Sequence, residues 1–246
     1  MTCALICRSL RWRLLLGLVL TATPTALIAA SYAEQAGRAP TRWAGADGFI
    51  GYLDAAWFRL PGASAVFLPV AVLLGSLGSL VRPRSEVVYV LAFGVARRRW
   101  LWAHAAAAVA GVAALVAATA LIYALAGWRL RAPQAAGRLG ARSLAVLLAA
   151  ASWCLATTGT PAVVRHPAAA VAAVLTPAVA LPPTRFTLDL PAGAAARVLP
   201  PWDPWALADP RAWQSAAPLA AACASAAAIA VVGALLARRG YAGLEP

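Results

Sequence analysis

Six apolar stretches, set off from one another by arginines, leave this chain few ways to fold. They run at about Leu14–Tyr32, Pro61–Val81, Leu101–Gly127, Ser143–Val164, Pro167–Pro183 and Ala217–Ala237. A helix needs about 20 apolar residues to cross roughly 30 Å of hydrocarbon, and most of the stretches reach that length. None alternates apolar and polar residues with period two, as the strands of a membrane barrel do. Helices are the remaining way to satisfy every backbone polar group in lipid. Composition argues the same way. The chain is 63% hydrophobic and 12% charged, whereas a soluble chain carries about 25% charged residues. A globule of this size would still hold roughly a quarter of its surface in water, too much for so few polar residues to cover. The expected fold class is therefore all-α: a polytopic membrane helical bundle of six transmembrane helices, one domain over residues 1–246.

Two stretches admit more than one reading. Ser143–Pro183 is nearly continuous, broken by Pro161, Arg165, His166 and Pro167. It reads as two helices with a tight turn at Arg165-His166, Pro167 taking the first helical position, where its missing N–H is not needed. The other reading is one span followed by a re-entrant segment. The N-terminus has the basic start, apolar run and small residues (Ser31, Ala33) of a signal peptide. Its run is longer than a usual signal core and five more stretches follow, which favours an uncleaved first helix.

The formal net charge is +13, and every cation is Arg. A basic soluble protein would point to nucleic acid. Here the arginines flank apolar blocks and meet an anionic bilayer surface, so the partner they imply is lipid and not nucleic acid. Counting arginines near span ends gives both termini in the cytoplasm of a multi-pass plasma-membrane protein. The contrast is small, eleven arginines inside against ten outside. The orientation rests on Arg8, Arg11 and Arg13, on Arg97–Arg99, and on Arg238-Arg239 after the last span. The anomaly is Trp128–Arg142, which puts Arg129, Arg131, Arg138 and Arg142 outside. Most acids, Asp47 and Asp54 among them, fall on that same side.

The loops carry the remaining signal. Trp43, Trp57 and Phe58, in the Ala33–Leu60 loop, are expected at the membrane–water boundary, where amphipathic rings settle. The Pro-rich loop Thr184–Ala216, with Trp202, Trp205 and Trp213, reads as an interfacial collar. Between spans two and three, Pro83 ends the preceding helix. Ser85 caps a new one, and Glu86 lies in its first turn, where negative charge suits the dipole. Val88, Leu91 and Val95 form one apolar stripe, and Arg97, Arg98 and Arg99 close the segment. This is a short amphipathic helix at the cytoplasmic surface. It is either anchored to lipid phosphates or docked into a partner.

The segment Glu86–Trp102 resembles the intracellular loop of ABC-2-type transporter permeases. In that family an acidic residue opens a short helix between spans two and three, and an apolar stretch and a Gly/Pro-Val-Ser/Ala-Arg turn follow. Here Glu86 stands as the acid and Gly94-Val95-Ala96-Arg97 at the turn. The layout is also similar: six spans, a long outer loop before the sixth and a short basic C-terminus. The Arg-rich Trp128–Arg142 loop departs from the pattern, as does Gly94 where Pro is common. The resemblance implies the membrane half of an ATP-driven exporter. It implies a separate ABC ATPase subunit seated on Glu86, Val88, Leu91, Val95 and Arg97–Arg99, and a second permease copy, identical or sister.

The sequence points away from other classes. Without Lys there is no phosphate-binding Gly-x-x-x-x-Gly-Lys-Ser/Thr loop, so no ATPase activity and no cofactor are expected of this chain. Cys3, Cys7, Cys154 and Cys223 lack metal-ligand spacing and are expected free. His104 and His166 read as interfacial polar residues. No acid falls inside a clear span, which argues against an ion-driven carrier or an intramembrane enzyme. Ser152, Thr157, Thr158 and Thr160 cluster in span four, where hydrogen bonds between helices are their expected role. The alternative to a permease is a non-transporting membrane scaffold.

Overall fold

The computed structural model describes residues 2–38, 45–58, 62–75, 97–129, 135–163, 169, 172, 207 and 216–242. Every element among them is helical. α1 (Thr2–Arg38) is followed by α2 (Gly45–Leu53), which passes directly into a π-helical stretch, Asp54–Phe58. α3 (Gly62–Gly75), α4 (Arg97–Arg129), α5 (Ala135–Val163) and α6 (Ala216–Ala242) complete the bundle. α1 extends well beyond the expected Leu14–Tyr32 at both ends.

Three helices are long and apolar enough to cross a membrane: Arg11–Arg38, Trp102–Arg129 and Gly137–Thr158. Their outer faces carry the exposed large side chains Val19 and Leu27 on α1, Leu121 and Leu125 on α4, and Leu144 and Leu148 on α5. Such an apolar exterior has no place in water. On α4, exposed Trp102 and Trp128 stand about 39 Å apart at 1.5 Å per residue. That matches the about 40–45 Å between the interfacial regions of a bilayer. The chain is a membrane protein. The expected second and sixth spans correspond to the shorter apolar helices Ala65–Gly75 and Ala222–Leu236. The expected fifth, 167–183, lies outside the described residues except for positions 169 and 172, both helical.

The contacts fix the direction of each helix. Arg13 donates to the Leu73 carbonyl at 2.9 Å, while Gly17 lies opposite Val70 and Leu115. Pairings 13–73 and 17–70 run in opposite senses, so α1 and α3 are antiparallel. Gly17–Leu115 and the approach of Thr25 to Tyr123 advance together, so α1 and α4 are parallel. α5 returns after residues 130–134, antiparallel to α4. α6 then packs on α5 through Gly233 against Ala156. Ala222 and Ala145 share one buried cluster eleven residues earlier on each helix, which makes α5 and α6 parallel.

Burial explains the arrangement. On α3, Phe67, Leu68, Val70, Ala71, Val72 and Leu74 are all buried, which is nearly the full circumference. A helix apolar all round belongs in the interior, and α3 sits among α1, α4 and α5. α1 buries one stripe, Gly17, Thr21, Thr25 and Tyr32, at spacings of four, four and seven. Small residues set the closest approaches. A Cβ on Gly75 would lie 2.5 Å from the Cys154 carbonyl oxygen, and one on Gly233 would lie 2.6 Å from Ala156 Cα. Without a hydrophobic force between helices in lipid, such backbone-to-backbone packing supplies the association energy.

Three expectations change here. Trp57 and Phe58 are 2% exposed and lie inside the bundle, because the π-helical stretch turns them inward from the end of α2. His104 is buried as well, on the α4 face shared with Ala105, Ala108 and Val112. The hydroxyls of α5 bond to their own helix and not across to others. Ser152 donates to Ala149 O at 2.8 Å, Thr157 to Trp153 O at 2.7 Å and Thr158 to Cys154 O at 2.9 Å. The helices facing α5 bring Gly75 and Gly233 to the seam, which offer no side-chain acceptor, so the carbonyl one turn back is the nearest one. The Thr160 side chain lies outside the described residues.

Candidate functional site

The helix directions sort the charges into two ends. The first gathers the start of α1 with Arg11 and Arg13, the start of α4 with Arg97, Arg98 and Arg99, and the end of α6 with Arg238 and Arg239. Arg11, Arg238 and Arg239 are exposed. The three acids among the described residues, Glu34, Asp47 and Asp54, all lie at the opposite end. Among the described residues, the first end carries arginines and no Asp or Glu.

The expected coupling segment falls between α3 and α4 in the sequence. Glu86, Val88, Leu91 and Val95 lie outside the described residues, as does the turn at Gly94–Ala96. Arg97, Arg98 and Arg99 are helical and continuous with the third apolar stretch as the first described turn of α4. They are thus part of a rod that reaches 33 residues to Arg129. Arg13 ties the same end together, because its guanidinium holds α1 to a carbonyl in the last described turn of α3.

The opposite end is closed by groups that the sequence did not flag as partners. Arg138 pairs with Asp47 at 2.5 Å, both largely exposed. Arg142 pairs with Asp54 at 3.3 Å, their side chains 18% and 21% exposed. The pairs clamp α2 and the π-helical stretch onto the first turns of α5. Beneath them lies an aromatic cluster. Tyr32 meets Phe49 at 4.9 Å and Tyr52 at 5.3 Å, and Trp57 meets Tyr123 at 5.8 Å and Phe67 at 6.1 Å. Edge-on and tilted pairs of this kind contribute about 0.5–1.5 kcal/mol each beyond burial. The anomalous arginine-rich loop thus has a structural explanation in Arg138 and Arg142, which pair with the acids of the preceding loop at the same end. The signal was present in the sequence, since both segments fall on one side of any alternating topology.

Among the described residues no group of three or more His, Cys, Asp or Glu is placed to hold a metal ion. Cys154 is buried and Cys223 exposed, each as a free thiol. No protein-family model, characterised protein or solved structure matches this chain significantly.

Proposed function

We propose that this chain is the membrane-spanning permease subunit of an ATP-driven ABC transporter of the ABC-2 type, an exporter lodged in the plasma membrane with both termini in the cytoplasm. The observation that carries the reading is the gathering of the α1, α4 and α6 arginines at one end of the bundle, with Arg97–Arg99 leading directly into a long apolar helix. A soluble ATPase subunit docked at Glu86–Arg99 meets that positive end, and nucleotide-driven closure is transmitted along α4. The parallel course of α5 and α6 supports six crossings. The end of α5 and the start of α6 therefore lie at opposite ends of the bundle. In lipid a return path is a helix or is shielded by protein, and 167–183 supplies the apolar stretch for it. Six spans make half a pathway, so a second permease copy completes it.

The test is co-purification of this chain with a co-expressed soluble ATPase, encoded beside it, that carries a Gly-x-x-x-x-Gly-Lys-Ser/Thr loop. The wild-type pair is expected to survive gel filtration. Reversal of Arg97, Arg98 and Arg99 to Glu is expected to separate it without changing the chain's own elution. An unchanged complex in the charge-reversed variant overturns the docking surface. Failure of the wild-type chain to hold any such ATPase favours a non-transporting scaffold.

A further inference from the structure

The segment between α1 and α3 reads in the sequence as an outer loop, but its contacts carry it down into the bundle. α3 is antiparallel to α1 and α4, and therefore parallel to α5. Gly17 lies opposite Val70, so Gly62, eight residues before Val70, comes level with Thr25, eight after Gly17. Gly75 lies opposite Cys154 and Thr157, so Gly62, thirteen residues earlier, also comes level with 141–144 on α5, the turn that holds Arg142. Thr25 in turn meets Tyr123. One level of the bundle thus carries Gly62, Thr25, Tyr123 and Arg142, about 7.5 Å inside Trp128.

α2 and the π-helical stretch reach this level. Phe49 packs on Tyr32, Asp54 pairs with Arg142 and Trp57 packs on Tyr123. Tyr32 stands seven residues above Thr25, so from Phe49 to Trp57 the segment descends by about 10 Å. It runs in the same direction as α3 and forms the upper half of the second crossing. The two halves do not share an axis. A straight helix sets residues 57 and 67 about 15 Å apart, yet the Trp57 and Phe67 rings meet at 6.1 Å.

The upper half is held differently from the rest. The other seams of the bundle close backbone against backbone at Gly75 and Gly233, whereas a Cβ on Gly45 or Gly51 meets nothing within 4 Å. Side chains hold the segment instead, through ring contacts and ion pairs. Of the two pairs, Asp47–Arg138 is largely exposed and Asp54–Arg142 half-buried, and only the latter is sheltered enough to matter energetically. Trp57 and Phe58 are buried here, but such rings also settle at the membrane boundary, so leaving the bundle does not strand them in water. The backbone departs from regular helix at both ends of the segment: Gly45 holds a φ of +75°, and 54–58 is π-helical, a form that recurs at functional sites.

We propose that α2 and the π-helical stretch form a lid over the acidic end of the bundle, and that the Asp54–Arg142 ion pair is its latch. Open, the lid uncovers Tyr123 and Phe67, with Trp57 and Phe58 moved to the membrane boundary. That the lid closes the exit of a transport path rests on the permease reading; that it opens does not.

The test uses the full chain, cysteine-free, in phosphatidylcholine nanodiscs, with nitroxides on Gly51→Cys in the lid and Trp128→Cys at the end of α4, both exposed. Pulsed electron–electron resonance is expected to give one dominant distance in the otherwise unaltered chain. Arg142→Gln is expected to raise the population at a second distance about tenfold. The charge swap Asp54→Arg/Arg142→Asp is expected to return it toward the first. Arg142→Lys, which keeps the charge and loses the fork, is expected to fall between and carries the test if the Gln variant does not assemble. A lowered Tm with the distance unchanged in the Gln and Lys variants overturns the lid, since the pair then only holds the fold. A second distance that the swap does not reduce overturns the latch. Loss of the ATPase partner with the second distance intact sinks the permease reading alone.

Discussion

Substituting Gly233 by Ala tests whether α6 truly lies backbone to backbone on α5. The added Cβ would sit 2.6 Å from both Ala156 Cα and Ala156 N, and 2.7 Å from the Leu155 carbonyl carbon. All three are main-chain atoms, so no rotamer change relieves the clash. Ordinary contact begins at about 3.4 Å, so the helices must separate by close to an ångström along their tightest line. Overpacking of this kind costs about 1–3 kcal/mol, and rigid neighbours place it at the upper end. Ala also gains up to about 1 kcal/mol over Gly in a helix interior, which blurs the single measurement.

A matched control removes that gain. Gly140 lies exposed on α5, with nothing within 4 Å of its added Cβ, so Gly140→Ala reports helix propensity alone. The difference between the two variants is then the strain, about 3 kcal/mol. At about 2–4 °C per kcal/mol for a chain of this size, their Tm values in nanodiscs should differ by roughly 6–12 °C, Gly140→Ala being the higher. Gly17→Ala should fall between them, because its Cβ meets the tip of the Leu115 side chain at 2.7 Å, which can rotate away. Equal Tm values for the Gly233 and Gly140 variants would refute the α5–α6 packing, and with it the parallel course of those helices.

Further outcomes follow from the same contacts. Asp54→Asn or Arg142→Gln leaves a half-buried charge without its partner and should lower stability by about 1–3 kcal/mol, less than for a fully buried pair. The double variant should recover part of that loss, whereas Arg138→Gln, which breaks an exposed pair, should change little. Ser152→Ala deletes a hydroxyl bonded to its own helix and should leave stability within about 0.5 kcal/mol of wild type. In a cysteine-free background, Asp47→Cys and Arg138→Cys should react with an impermeant maleimide from one face of the membrane and Arg98→Cys from the other. Labelling of all three from one face would contradict the helix directions.

What the sequence revealed was the local and one-dimensional part of the fold. Apolar length located α1, α4 and α5, because the cost of crossing hydrocarbon depends on a run of residues and not on neighbours. What it concealed was pairing. Trp57 and Phe58 looked like boundary aromatics because composition cannot say whether a ring meets lipid headgroups or another ring. A π-helical stretch, which no periodicity announces, decided it. The α5 hydroxyls suggested cross-helix bonds, but the residues opposite them proved to be glycines.

The two ends of the bundle differ in a way that bears on how it would move. At the acidic end, α2 and the π-helical stretch are held by Arg138–Asp47, by Arg142–Asp54 and by aromatic pairs linking Tyr32, Trp57 and Tyr123 across four elements. Each of the three described acids there, Glu34, Asp47 and Asp54, has an arginine partner. At the arginine end the described residues supply cations without acids, and like charges on α1, α4 and α6 repel one another. An acidic surface brought against that end would draw the three helix ends together. α4 is parallel to α1 and bears Arg97–Arg99 at one end and Tyr123 under Trp57 at the other. If the proposed ATPase subunit docks at Arg97–Arg99, α4 is the element that links its docking surface to Tyr123 and the Trp57 ring packed on it.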